Sequence, residues 1–287
     1  MGSNKRQLDS EHHALGDPRL FVLFLILGIS PDIFCAFLGP IFFSAQVTSN
    51  SLINKTRTIG AIKLVSLPLI APIYLISLNA CSGYGRSKLL NTYNLYYILI
   101  LLTLSICFGY SLMYFFQVGG SIPNQEHPLV LLSRTGNFND KILVAALVSV
   151  VAPIHEEVLF RGLFQAWVLS ASFGKLICLF LATSLIFVHQ FSQILNFSEN
   201  RLVLIQIIAF LILCLGACRL GSLISNRMNK ILAAAAVFAS LHSFAWPSPA
   251  GLLPLACGLG WMREVSGSVL PGMVLHSLFN LAGLFLV

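Results

Sequence analysis

Three charged side chains interrupt the apolar segment 153–164 and are the residues best suited to acid–base chemistry. Glu157 and Arg161 are four residues apart with the acid first, so a helix would place them on one face as an ion pair. Glu156 lies about 100° away around the same helix and has no such local partner. The segment therefore predicts a candidate general base, Glu156, beside an ion pair that either supports it or only holds helices together.

Two further pairs of residues, each containing a histidine, occur in later apolar runs. His276 and Asn280 are four residues apart, and Phe238 and His242 have the same spacing. A single histidine in such a run is commonly a packed residue that hydrogen-bonds to a neighbouring helix. Ionisable groups on three separate helices at membrane depth instead indicate a shared functional site.

His189 is an alternative to His242, because it also lies in an apolar run after Glu156. The HExxH signature of zinc proteases is absent, although His155 and Glu156 resemble its beginning. That signature requires a second histidine at the position that Leu159 occupies.

Membrane helices must position these residues, because the composition does not suit a water-soluble fold. Of the 287 residues, 57% are hydrophobic and 9% are charged, and the mean hydropathy is +0.86. Soluble domains carry about 25% charged residues. We predict an all-α, polytopic transmembrane bundle of about eight spans, near residues 20–43, 60–80, 95–117, 141–170, 174–194, 203–225, 230–246 and 266–287. We expect the short stretch 250–262 to be a half-helix against the last span.

The composition also excludes several classes of function. The net charge of +7 comes from 17 Lys and Arg residues spread over short loops, which suits anionic lipid headgroups and argues against a nucleic-acid partner. The seven cysteines show no CxxC pair and no regular spacing, so neither a disulfide scaffold nor a zinc ribbon is indicated. We divide the chain into a polar segment 1–19, N-terminal transmembrane helices 20–140 and a catalytic core 141–287.

In their order along the chain, these motifs resemble those of the CAAX protease and bacteriocin-processing family (CPBP, or Abi). This family of intramembrane endopeptidases is related to the Ras-converting CAAX endopeptidases. Its pattern is EExxxR, FxxxH and HxxxN on separate transmembrane helices. The matching residues here are Glu156, Glu157, Arg161, Phe238, His242, His276 and Asn280. The resemblance covers roughly 141–287, whereas 1–140 match only in being hydrophobic.

The resemblance implies a hydrolase that cleaves a peptide bond in a membrane-associated protein or peptide, in or near the lipid bilayer. It implies that Glu156, helped by His242, activates a water, and that His276 and Asn280 stabilise the oxyanion or position the water. Glu157 and Arg161 would hold their helix in register. Spacing in some relatives would select His189 as the catalytic histidine in place of His242.

The resemblance leaves metal dependence open. The family is usually called a metalloprotease, and two histidines with a glutamate can form a zinc site that keeps one position for water. Glu156, His242 and His276 are the residues that would bind such a zinc ion. A metal-free mechanism based on glutamate uses the same side chains.

Two other functions compete with a peptidase. The chain would be a non-catalytic scaffold or immunity-type protein of the same fold if the motif residues served only for packing. It would be a proton-coupled transporter if Glu, His and Arg formed a proton relay, although transporters commonly show two related halves. All three functions imply an integral, multi-pass membrane protein, in the plasma or inner membrane if it is prokaryotic.

Overall fold

The computed structural model describes residues 17–28, 92–118, 128–195, 201–243 and 246–286, together with the single positions 60, 72 and 76. Almost all of these residues are helical. In chain order the helices are α1 (Pro18–Gly28), α2 (Thr92–Val118), α3 (Pro128–Thr135), α4 (Phe138–Ser170), α5 (Gly174–Leu195), α6 (Arg201–Ile224), α7 (Asn226–Ser240), α8 (Ser248–Ser266) and α9 (Leu270–Leu286).

The predicted all-helical membrane fold is confirmed, since the described residues include no strand. Within the part of the chain that the structure describes, three helical stretches are long and apolar enough to cross a bilayer, namely Leu95–Phe116, Phe138–Ser170 and Leu204–Ile224. The count of eight spans stays a prediction. Most residues of the spans predicted at 20–43 and 60–80 lie outside the described residues.

Helix α4 carries the EExxxR segment and begins with a capping box. The Asn137 side chain accepts a hydrogen bond from the Asp140 N–H at 3.0 Å, and the Asp140 carboxylate accepts one from the Asn137 N–H at 2.9 Å. This exchange satisfies N–H groups that a helix start leaves without partners. The helix then widens into π-helical turns at Leu147–Val151 and Glu157–Phe164. Such turns are rare and commonly accompany functional sites.

Helix α7 occupies the interior of the bundle, where it packs against α5, α6, α8 and the end of α4. Its alanines, including the run 233–236, are fully or almost fully buried. Small side chains let helix axes approach closely when lipid provides no hydrophobic drive for association. This close packing brings Phe238, at the end of α7, up to α4 and α9.

The stretch 250–262 is part of a full helix, α8, and not the half-helix that the sequence suggested. Helix α8 extends over 19 residues and ends at Gly267, whose left-handed backbone (φ 67°) favours glycine. It packs mainly on α2 and α7, and less on the last helix. A Cβ atom on Gly109 of α2 would lie 2.6 Å from the carbonyl oxygen of Gly251, so these two helices touch backbone to backbone.

Candidate active site

A buried carboxylate, Glu157, links α4 to α9. Its Oε1 atom lies 3.1 Å from His276 Nδ1, and its Oε2 atom lies 3.6 Å from Arg161 Nε. All three side chains are at most 3% exposed. Charges this deep must be paired, because an unpaired ion inside a protein carries a large desolvation cost. The predicted pairing of Glu157 with Arg161 is therefore present, and His276 extends it to a second helix.

Phe238 is the apolar centre of this charged group. The Arg161 guanidinium lies over its ring, with Cζ 4.6 Å from the centroid, a distance typical of a cation–π contact. The ring also meets His276 edge to face, at 5.8 Å between centroids, and His242 at 5.4 Å. The phenylalanine of the FxxxH pattern thus contacts residues of all three motifs.

Glu156 faces a cavity of about 790 Å³ bordered by α2, α3, α4, α7, α8 and α9. Its side chain is 24% exposed, and its Oε2 atom lies 3.7 Å from His276 Nε2. His242, His276 and Asn280 also line this cavity. The remaining lining is largely apolar. A carboxylate and two imidazoles that line one cavity can bind and deprotonate a water molecule.

Asn280 donates a hydrogen bond from Nδ2 to the carbonyl of Val148 at 2.9 Å. The local sequence explains why this carbonyl needs a side-chain donor. The Ala152 N–H turns to Leu147 in the π-helical stretch, and the next residue, Pro153, has no N–H to donate. Asn280 therefore fixes the register of α9 against α4, in addition to lining the cavity.

His242 follows the last turn of α7, and its Nδ1 atom lies 3.2 Å from the Phe238 carbonyl. A carbonyl only accepts hydrogen bonds, so Nδ1 must carry the proton in this contact. In the neutral ring, Nε2 is then an acceptor. An imidazole with this tautomer can take a proton from water or orient it.

The structure places His189 away from this group. It is exposed on α5, and its Nδ1 forms a 2.6 Å hydrogen bond with the hydroxyl of Ser243, next to His242. The neighbouring Gln190 donates to the Ser243 carbonyl. His189 is absent from the described cavity lining. Its contacts reach the turn that carries His242, whereas His242 lines the cavity itself.

The three residues weighed as zinc ligands do not form a metal-binding group. Within the described ranges, no three His, Cys, Asp or Glu side chains lie close enough together to hold an ion. Nδ1 of His276 faces Glu157 and Nδ1 of His242 faces a carbonyl of its own helix, which leaves Nε2 as the possible ligand atom of each ring. The separation of the three side chains, and not the orientation of the rings, therefore argues against a preformed zinc site at Glu156, His242 and His276.

Several residues at the site belong to none of the motifs. Gly272 is one, since a Cβ atom there would lie 2.9 Å from Glu157 Oε2. Its only signal in the sequence is its place in the glycine-containing stretch 258–272, which leads into His276. Ser133, Arg134 and Lys141 also line the cavity, and no motif identified them.

One comparison with known proteins identifies a relationship. A family model described as "Type II CAAX prenyl endopeptidase Rce1-like" matches residues 138–282, about half of the chain. The match contains every motif residue named above. No curated protein and no solved structure matches the chain.

Proposed function

Because the chain belongs to the Rce1-like family of type II CAAX prenyl endopeptidases, we propose that it is a multi-pass membrane peptidase with Glu156 as its general base. Membership makes it a CAAX-type endopeptidase and an integral membrane protein. The proposal adds that it cleaves a membrane-associated protein or peptide. The proposal rests on one observation, namely that the same cavity is lined by Glu156, His242, His276 and Asn280.

In the proposed reaction, a water held between Glu156 and His242 attacks the scissile carbonyl carbon. Glu156 takes the proton as the new C–O bond forms, and the carbonyl electrons move onto oxygen. When the tetrahedral intermediate collapses, the C–N bond breaks and Glu156 returns the proton to the leaving amine. One positioned base of this kind contributes about 10²–10⁴ in rate.

We assign the oxyanion to the side of the cavity that His276 and Asn280 line. His276 Nδ1 donates to Glu157, so its ring presents Nε2 towards Glu156. Nε2 can donate to an oxyanion only while the ring holds both protons. The Asn280 amide has two N–H groups, of which one is directed to Val148.

The decisive experiment is Glu156→Gln in the purified full chain, assayed with a quenched prenylated peptide. The amide cannot accept the proton, so kcat should fall by at least about 100-fold, while the protein remains folded in the membrane. Glu264→Gln is the matched control, because Glu264 pairs with Arg227 away from the cavity. Unchanged kcat in Glu156→Gln would favour the non-catalytic scaffold.

The same assay separates the two candidate histidines. His242→Ala should lose activity as severely as Glu156→Gln. His189→Ala should keep most of its kcat, because His189 hydrogen-bonds to Ser243 and does not belong to the described cavity lining. The reverse order of effects would assign the catalytic role to His189.

A further inference from the structure

The cavity continues beyond the candidate active site along one face of α4. Glu156, Ala152, Val148, Ala145 and Lys141 all line it, at spacings of three or four residues. Such spacing keeps side chains on a single helix face. This face of α4 therefore forms one wall of a groove. The carboxylate of Glu156 lies at one end of the groove, and the ammonium group of Lys141 lies at the other.

Helix α9 forms the opposite wall and runs antiparallel to α4. His276 contacts Glu156, and Asn280, one turn later, contacts Val148. The cavity lining then continues to Leu284. Successive turns of α9 thus pass successive turns of α4 in reverse order. Apart from Asn280, the α4 and α9 residues that line the groove between its two ends are apolar.

The far end of the groove is basic. Arg134, in the last turn of α3, and Lys141, in the first turns of α4, line it together with Ser133. Both cations are exposed. Glu156 is the sole acidic residue among the described lining residues.

Helix electrostatics explains only one of these two cations. Arg134 lies near a helix C-terminus, where a positive charge is stabilised, whereas Lys141 lies near a helix N-terminus, where it is not. The nearby Asp140 is buried, and its carboxylate accepts the Asn137 N–H of the capping box. Lys141 therefore brings to the groove a positive charge that its own helix does not stabilise.

We propose that Arg134 and Lys141, with the Ser133 hydroxyl, bind the C-terminal carboxylate of the peptide substrate. The proposal rests on the proposed function, since it names the end of the substrate that the peptidase recognises. Arginine and lysine form strong charge-assisted hydrogen bonds to carboxylates. A peptide cleaved near its C-terminus carries such a group on the departing side of the scissile bond.

The length of the groove suits this substrate. Lys141 and Glu156 are fifteen residues apart on α4, so their Cα atoms are separated by about 20 Å. A CAAX sequence has three residues after its cysteine, which span about 10 Å when extended. The remaining length of the groove is occupied at one end by the long basic side chains. At the other end it is occupied by Glu156 and its water.

The test compares a quenched farnesylated peptide bearing a free C-terminal carboxylate with the same peptide as a C-terminal amide. The full chain is reconstituted in phosphatidylcholine vesicles. We expect the wild-type KM for the amide to be about tenfold higher than for the acid, equivalent to about 1.4 kcal/mol. The variant Arg134→Gln/Lys141→Gln should raise KM for the acid to the amide value and leave kcat nearly unchanged.

Two variants serve as controls. Arg134→Lys/Lys141→Arg preserves both charges and should keep the preference for the acid. Arg219→Gln removes an exposed cation of α6 outside the described lining and should also keep it. Equal wild-type KM values for acid and amide would overturn the carboxylate site and leave the peptidase intact.

A binding measurement separates failure of this proposal from failure of the proposed function. The variant Glu156→Gln is mixed with each of the two farnesylated peptides, and fluorescence anisotropy measures the Kd. This comparison shows whether the peptide with the free carboxylate binds more tightly than the peptide amide, even where no cleavage occurs. A lost preference in this variant contradicts the carboxylate site. If the basic pair alters activity only in vesicles that contain phosphatidylglycerol, the two residues bind lipid headgroups, and the proposal is wrong.

Discussion

Glu157 and Arg161 show how a helix interior accommodates charge in this chain. Both are almost completely buried, and their partners come from two other helices, through His276 of α9 and the ring of Phe238 of α7. Breaking a buried ion pair on one side leaves the other charge uncompensated, at a cost of about 3–5 kcal/mol. The pair therefore stabilises this arrangement only while both members are present.

Glu157→Gln should accordingly destabilise the protein strongly. The substitution leaves Arg161 buried without a counter-charge and weakens the hold on His276. Thermal unfolding in detergent should show a loss of about 3 kcal/mol or more. Glu264→Gln, in the more exposed pair with Arg227, should lose at most about 1 kcal/mol.

A double variant tests the explanation itself. Glu157→Gln/Arg161→Met removes both charges and should recover part of the stability that Glu157→Gln alone loses. If it is less stable than Glu157→Gln, the uncompensated charge of Arg161 is not the cause of the loss.

At this scale the sequence predicted pairings within one helix but not those between helices. The spacing of Glu157 and Arg161 was sufficient to place them together. The contact of His276 with Glu157, and that of Asn280 with Val148, join residues more than a hundred positions apart. Spacing along a single helix carries no information on such contacts, so they became visible only in the structure.

At the scale of the helices, the crossing of α2 and α8 leaves little room for change. Gly109 and Gly251 meet there, and both line the cavity. Any side chain at this crossing must push the two helices apart. The width of the cavity therefore depends on two residues that carry no functional group.

Gly109→Ala should destabilise the protein, although alanine is the better helix former. Its Cβ atom would lie 2.6 Å from the Gly251 carbonyl oxygen, and such overpacking typically costs about 1–3 kcal/mol. Gly216→Ala on α6 is the matched control, because nothing lies within 4 Å of its Cβ position. That change should be neutral or stabilising by up to about 1 kcal/mol. Equal effects on thermal unfolding would contradict the tight crossing.

Hydropathy predicted the outer helices α2 and α6 more accurately than the buried helix α8. The expected spans 95–117 and 203–225 agree with α2 and α6 to within a few residues. Helix α8 was underestimated because its ends contain polar residues such as Arg263 and Ser266, which are buried in protein. An apolar run measures exposure to lipid, and a helix enclosed by other helices need not have one.

The molecule as a whole presents apolar side chains outward. On α6, Ile205, Ile208, Ile212 and Leu215 are each about half exposed or more. A soluble protein rarely shows a contiguous apolar surface of this extent. Together with the family assignment, this surface identifies an integral membrane protein.

Ile212→Arg tests whether that surface faces lipid. Ile212 is 63% exposed near the middle of α6, where an arginine costs about 2.5–3.5 kcal/mol in a bilayer and almost nothing in water. The variant should leave less protein in the membrane fraction after alkaline extraction. Ile224→Arg, at the end of the same helix, should behave like wild type because its side chain can reach the interface. Equal retention of both variants would argue that α6 does not cross the bilayer.

Composition was sufficient to predict the membrane environment and the helical class. It could not determine how the helices are arranged, because the apolar runs of different helices are alike. The motifs supplied a constraint on how the helices of the C-terminal half are arranged. Glu156, His242 and His276 were expected to share one site, because a shared site would justify ionisable side chains in apolar runs. The boundary at residue 140, between the N-terminal transmembrane helices and the catalytic core, stays a prediction.

The hydrogen bond from Asn280 to Val148 has an evolutionary consequence. The amide replaces a backbone donor that Pro153 cannot supply, so the proline and the asparagine meet one structural need together. A related chain that replaces the proline regains a main-chain donor for this carbonyl. Its asparagine then keeps only the role in the cavity, so the proline position should vary more freely than the asparagine position.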